Sequence, residues 1–350
     1  MLLSLIHNII LLLFMIFLSL YLLAFAYKHR DINKYGFNST IVTAICLLII
    51  GVIVLIFDLI PYPINAAINV WLAIVFVIQG IYFIIIKIVY KEQINKENID
   101  VNTYENGEIK LKREYMRKSF HSVVILVVIC YFMLALIIND FVYNIYVSDP
   151  DLYYSIWKTH EYPLNPKSTS NLEVTIKWTL MFFISALIFL TIPDIFRIYN
   201  RKYSIFSGVY KRVIRLKEFY TLGPQVYLTL GCTFTFLLAV LGIFIPAVAI
   251  AGMMIAAFGD AAAAIIGRRF GKHKFQTFIQ REELKSYEGL IAGFIVSYIS
   301  AFFFVGPIFA ILGALTFSIL DYLNPKIADN ILNPILCTIT MMIPFWIILY

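Results

Sequence analysis

The sequence predicts an all-α, polytopic transmembrane helical bundle of about ten spans. Three observations carry that prediction. Of 350 residues, 61% are hydrophobic and 14% charged, with a mean hydropathy of +0.85, whereas an average soluble domain carries about 25% charged residues. The apolar residues gather in blocks of roughly 18–26, long enough to cross about 30 Å of hydrocarbon at 1.5 Å per residue. Positive charge collects in alternate loops, as the positive-inside bias requires of a chain threaded back and forth through a bilayer. Helix is the only state open to such blocks, because backbone groups left unpaired in lipid are strongly destabilising.

The first block, 2–27, ends in Ala24-Phe25-Ala26, which mimics a signal-peptidase site. A signal peptide would want a basic n-region, and only His7 precedes Tyr27, so the block reads as a retained span. The second and third blocks, 39–60 and 64–90, meet at the uncharged turn Pro61-Tyr62-Pro63. The fourth, 120–138, comes after a polar loop whose centre, Glu92–Lys112, carries nothing catalytic. A long acidic loop, 139–173, precedes the fifth block, 174–193. The sixth and seventh, 222–240 and 242–266, are divided by Gly242–Pro246. The eighth and ninth, 288–305 and 306–322, are divided by Gly306-Pro307, and the tenth is 331–349.

With this count, four basic loops fall on one side. They centre on Lys28–Lys34, Lys87–Lys118, Arg197–Lys217 and Arg268–Lys285, and the charge-poor loops fall on the other side. The bias places the basic loops in the cytoplasm and both termini outside. It also accounts for the net charge of +7 without nucleic acid, and no nucleic-acid partner is expected. Cys46, Cys130, Cys232 and Cys337 each lie within an apolar block and form no CxxC pair, which indicates neither a zinc site nor a disulfide framework. Aromatic residues near span ends, such as Tyr62, Trp71 and Trp346, suit an interfacial belt.

Chemistry concentrates between Phe258 and Gly289. Asp260 lies inside an apolar span, where an ionised carboxylate costs about 2.5–3.5 kcal/mol on insertion scales and so requires a cation, a water-filled cavity or a partner. The alanines and glycines around it let another helix or a ligand approach the backbone. Gly267, Arg268, Gly271 and Lys272 come next, then Lys285 and Ser286. Glycines open backbone N–H groups to phosphate oxygens, and Arg and Lys neutralise them. A carboxylate for Mg²⁺ beside such a cradle is the equipment of phosphoryl or nucleotidyl transfer.

The string Gly259-Asp260-x-x-Ala263-x-x-x-Gly267-Arg268-x-x-Gly271-Lys272, continued by Lys285-Ser286-x-Glu288-Gly289, resembles the CTP-dependent lipid kinases: dolichol kinase, phytol kinase and the CTP-using diacylglycerol kinase. Phosphatidate cytidylyltransferases share a related block. Three further matches are similar to the kinase branch: Arg117-Lys118-x-x-His121, Asp194-x-x-Arg197 and Asp329-Asn330. The Lys-Asp and Asp-Arg pairs of the cytidylyltransferase C-terminal signature are missing from this sequence. The resemblance covers roughly residues 114–350. Residues 1–118 therefore read as N-terminal spans plus a polar loop outside it, and 119–350 as the kinase-like region of one membrane domain. One departure is that the family often carries a Glu ahead of the Asp-Asn element, where this chain has Asp321 nearby.

The resemblance implies transfer of the CTP γ-phosphoryl to a membrane lipid alcohol, of which polyprenol or dolichol is the leading expectation and phytol or diacylglycerol the others. The site would open to the cytoplasm, at the endoplasmic reticulum in a eukaryote or the cell membrane in a prokaryote. It implies Mg²⁺ on Asp260 and Asp329, and Asp260, His121 and Lys285 as catalytic groups. It also implies nucleotide contacts from Gly259, Gly267, Arg268, Gly271, Lys272, Ser286, Glu288, Gly289, Asp329, Asn330, Arg117, Lys118 and Arg197. Plainer roles stand beside these: helix capping at Asp329 or Asn330, and a local Asp194–Arg197 pair three residues apart on a helix. The rival activities are nucleotidyl transfer making a CDP-lipid, and transport, since charges inside spans also mark solute paths.

Overall fold

A computed structural model describes residues 2–30, 34–89, 114–119, 121, 125, 129–157, 160, 171–213, 221–281 and 283–349. Helix makes up 84% of it, so the architecture is all-α. Among the described residues, seven helices are long and apolar enough to cross a membrane. The polar segment 92–112 lies outside the described residues.

The chain opens with α1 (Leu2–Lys28), α2 (Lys34–Ile56) and α3 (Ile64–Val89). Helices α1 and α2 pack closely because Gly51 lets Leu12 and Met15 approach; a Cβ there would stand 3.0 Å from Leu12 Cδ1. Their far ends are tied by side chains. Ser4 Oγ and Asn8 Nδ2 both donate to Asp58 Oδ1 (2.6 and 2.7 Å), and Asn65 Nδ2 donates to Asn8 Oδ1 (3.0 Å). Interhelical bonds of this kind hold spans together where lipid offers no hydrophobic drive.

Residues 114–119 are helical; within the expected fourth span, 120–138, a π-turn at Cys130–Leu134 leads into α4 (Ala135–Ser148), which α5 (Pro150–Trp157) follows. Helix thus extends well into the stretch expected as a loop, since 135–148 remains mostly apolar. Helix α6 (Asn171–Tyr199) likewise outruns its expected end at 193, crossing Pro193. The N-terminal helices dock on it through Trp71 Nε1, which donates to Ser185 O (3.0 Å), and Gln79 Nε2, which donates to Tyr203 O (2.6 Å).

After α7 (Ser207–Val213) comes α8 (Pro224–Val240), then α9 (Pro246–Met254). A π-turn at Ile255–Gly259 runs into α10 (Asp260–Arg269). Two three-residue strands, β1 (Lys274–Gln276) and β2 (Leu284–Ser286), form an antiparallel hairpin with Phe275 opposite Lys285. These strands were not expected. Alternation over three residues is too short a signal to separate from loop, and the pair gains support from α10 and α11, which both pack against β2.

Helix α11 (Tyr287–Leu323) is 37 residues long and doubles back on itself. Gly306 takes φ 75° and ψ 178° ahead of Pro307, a conformation open to glycine but strained for residues with a Cβ. The two arms then lie side by side: a Cβ on Gly293 would meet Phe317 Cε1 at 2.8 Å, and Lys285 reaches Asp321 (2.8 Å). The expected turn at Gly306-Pro307 is therefore present. Helix α12 (Asp329–Leu349) fills the middle, packed on α8, α9 and α11. Gly252 allows this, since a Cβ there would fall 2.0 Å from Thr338 Oγ1.

Contacts across the loops place one set of them at one end of the bundle. Asn38 Nδ2 donates to Lys326 O (3.1 Å), Ala328 N to Ser39 Oγ (2.9 Å), Asn330 Nδ2 to Pro224 O (3.2 Å), and Arg268 pairs with Glu114 (3.0 Å).

Candidate functional site

At that end a cavity of about 200 Å³ opens between α8, α10, β2, α11 and α12. Its lining includes Arg117, Asp260, Gly267, Arg268, Lys285, Ser286, Gly289, Asp329 and Asn330. Nine of the residues singled out in the sequence therefore converge on one cleft, although they are spread over more than 200 positions of chain.

Asp260 is the first residue after the π-turn. Such a turn inserts one residue into the helix and re-aims the side chains beyond it, and is frequent at functional sites. The Asp260 carboxylate is 13% exposed and forms an ion pair with Lys118 Nζ, itself 1% exposed. Behind it lies His121, with Nδ1 at 3.5 Å from Asp260 Oδ2. The imidazole is buried, and among the described residues neither ring nitrogen has a hydrogen-bond partner. Lys118 and His121 stand behind Asp260 rather than on the cavity wall.

The other cations are paired too. Glu114, 2% exposed, accepts from Arg117 Nη2 (2.7 Å) and pairs with Arg268 Nη1 (3.0 Å), so one buried carboxylate gathers two guanidinium groups. Lys285 Nζ donates to Asp321 Oδ1 and to Asp321 O (2.8 and 2.9 Å). Burial works against the Lys285 charge, but the Asp321 carboxylate, with Asp329 and Asp260 behind it, outweighs that and raises the ammonium above its ordinary value. Asp321 lines the cavity as well. Glu114 and Asp321 were not assigned roles from the sequence. Glu114 had a readable signal, since it lies three residues before Arg117 on a helix.

The remaining candidates are placed differently. Ser286 is the N-cap of α11, accepting from Gly289 N (3.1 Å). Glu288 accepts from Lys272 N and His273 N (3.1 Å each) and from His273 Nδ1 (2.8 Å), fixing the turn after α10 rather than facing the cavity. Lys272 also lies outside the cavity lining, whereas Lys274 lines it and donates to Gly267 O (3.2 Å). Arg197 lies apart from the cavity. It is buried against Asp194 (2.5 Å) and donates to Thr221 O, while Asp194 accepts from Gly223 N (2.6 Å). The pair is scaffold that sets the start of α8, whose Pro224 and Tyr227 line the cavity.

The glycines serve packing. Gly259, Ala263 and Gly267 of the π-turn and α10 face Ser297, Gly293 and Gly289 of α11 in antiparallel order. A Cβ on Gly267 would stand 3.3 Å from Gly289 Cα, and one on Gly293 would stand 3.0 Å from Ala263 Cβ. This small-residue seam brings the Asp260 helix hard against the Lys285 strand. Gly271 sits against Ser286 in the same way.

Asp260, Asp321 and Asp329 share the cleft. Among the described residues no three His, Cys, Asp or Glu side chains stand close enough to hold a metal ion by themselves. Mg²⁺ is usually bound by one or two carboxylates together with substrate phosphates and water, and these carboxylates suit an ion that arrives on a nucleotide. No protein-family model, curated protein or solved structure matches the chain.

Proposed function

We propose that the protein is a ten-span, CTP-dependent lipid kinase that transfers the γ-phosphoryl of CTP to the hydroxyl of a membrane alcohol, most fittingly a polyprenol or dolichol, at the cytoplasmic face. The observation that carries this reading is the convergence of Asp260, Arg117, Arg268, Lys285 and Asp329 on one cleft at the loop-bearing end of a membrane bundle. The ten spans would comprise the seven long helices, the second arm of α11, the 17-residue α8 and the apolar block 120–138. The positive-inside bias of the basic loops supports a cytoplasmic placement of the cleft's end.

Phosphoryl transfer asks a protein chiefly for positioning and charge. Arg117, Arg268 and Lys285 offer their donors to phosphate oxygens, and in the free protein Glu114 and Asp321 keep those cations together against their mutual repulsion. Mg²⁺ bound with the nucleotide would be held by Asp260 and Asp329 and would neutralise charge on the phosphates. Lys118 fixes the Asp260 carboxylate from behind. The Asp260 carboxylate, oriented from behind by His121, takes the proton of the acceptor hydroxyl, and a base so placed contributes about 10²–10⁴-fold. The acceptor keeps its hydrocarbon among the helices, so it never has to be extracted into water.

The test is turnover by the purified full chain with Mg²⁺, CTP and polyprenol, dolichol, phytol or diacylglycerol in turn. CDP and one phosphorylated lipid should appear together, with loss of both in His121→Gln by roughly a hundredfold in kcat while KM for CTP holds. Lack of any phosphorylated lipid with all four alcohols would overturn the reading.

A further inference from the structure

The cavity's charged lining is interrupted by apolar side chains, among them one group beside the membrane arm of α11. There Ala263 and Ala264 of α10, Leu284 of β2 and Leu290 in the first turn of α11 stand together in its lining. Leu284 is 64% exposed although it sits on the wall of a cleft built for charge. The exposed apolar surface does not stop there. Tyr287, Ile291, Ile295 and Ile299 of α11 are 51%, 58%, 49% and 49% exposed. They recur every fourth residue, so they share one face of the helix. Beyond Tyr287, whose ring meets Phe275 at 4.8 Å between centroids, that face is apolar and exposed along the membrane arm, which is where a spanning helix meets hydrocarbon. Leu284 and Leu290 join it to the cavity, while the cavity's other walls carry Arg117, Arg268, Lys285 and Asp329.

We propose that the edge formed by Leu284 and Leu290 is the lateral entrance through which the acceptor lipid reaches the site. Its hydroxyl lies beside Lys285 and its hydrocarbon chain lies along the Tyr287–Ile299 face of α11. The proposal rests on the kinase reading and adds the route and the specificity-determining residue to it. Charge and solvation select the occupant. Phosphates and a divalent ion enter from water over the cationic walls, whereas a hydrocarbon chain at the polar walls would lose its lipid contacts without replacing them. The Leu284–Leu290 edge, with Leu284 64% exposed, lets one molecule keep its chain in lipid and its hydroxyl in the cleft. Leu284 lies next to Lys285, whose ammonium is held by Asp321 on the second arm of α11. The entrance and the phosphate contact are therefore set by one strand.

The experiment compares a long-chain alcohol with a short, water-soluble alcohol of the same head structure, using the full chain in lipid nanodiscs. In Leu284→Gln, which removes the apolar contact without adding charge, KM for the long-chain alcohol should rise by roughly tenfold or more, the size of a lost leucine contact. KM for CTP and kcat/KM for the short alcohol should stay within about twofold, because uniform binding of the remote chain is what was removed. Leu284→Met should restore the long-chain KM. Equal loss on both alcohols, or no change on either, would overturn the proposal. If the unaltered protein phosphorylates nothing, the kinase reading fails by itself, and the route is read from a spin label on Leu284→Cys in a chain freed of its native cysteines. Oxygen should broaden that label's spectrum more than a water-soluble nickel complex does, and added long-chain alcohol should immobilise it. A label reached from water alone and unmoved by the alcohol would show that this edge admits no lipid.

Discussion

Neutralising the carboxylate at position 260 leaves the buried Lys118 ammonium without its directly paired anion. Breaking one side of a buried pair costs about 3–5 kcal/mol, whereas replacing both partners by apolar groups is often close to neutral. Asp260→Asn should therefore lose transfer and melt earlier, and Asp260→Asn combined with Lys118→Met should recover most of the melting temperature but none of the activity. Recovery of activity in the double variant would remove Asp260 from the chemistry. Glu114→Gln should raise KM for CTP, because Arg117 and Arg268 lose the carboxylate that holds them together; an unchanged KM in steady-state kinetics would make Glu114 a folding residue only. The pH dependence is set by Lys285. Its folded value lies above the free one of about 10.4, so its ion pair stabilises fully below that pH and is lost as pH rises beyond it. Thermal stability and activity should show no Lys285-linked fall between pH 7 and about 10. At this scale the sequence exposed the groups with unusual surroundings, a carboxylate in an apolar block and cations beside glycines. It did not expose pairings over 142 positions, such as Lys118 with Asp260, because nothing local to either residue encodes the other.

Helix α10 meets α11 along glycine, alanine and serine, and that seam sets the distance between Asp260 and Lys285. Gly293→Leu would drive its side chain into Phe317 and Ala263, where even a Cβ lies within 2.8–3.0 Å of both. Overpacking of this kind typically costs about 1–3 kcal/mol, so the variant should melt earlier and lose activity together, as differential scanning fluorimetry and turnover on one preparation would show. Arg197→Ala should behave as a scaffold variant. Stability should fall, and KM for CTP in the surviving folded protein should stay near its original value; a selective rise in that KM would bring Arg197 back to the nucleotide. The small-residue spacing of four was visible in the sequence, but its use was not. The same glycines admit either a phosphate or a helix, and the choice is made by α11, whose approach depends on the reversal at Gly306.

For the molecule as a whole, the apolar blocks made the membrane bundle legible, since block length and hydropathy answer directly to bilayer thickness. The short turn at Gly306-Pro307 was legible as well, because a glycine–proline pair between two apolar blocks interrupts helix on both steric and hydrogen-bonding grounds. Helix ends were not, as α4 and α6 show, for their polar and apolar residues intermingle near the interface. The joining of Asn38 to Lys326 and of Ser39 to Ala328 was also invisible, being a matter of side chains that meet only after the bundle closes. What the whole arrangement does is tested most directly by giving the full chain, with Mg²⁺ and a polyprenol, CTP labelled at either the α or the γ phosphate. Label from the γ position alone should enter the lipid, with CDP released. Label entering from the α position with pyrophosphate released, or from neither, would contradict the account.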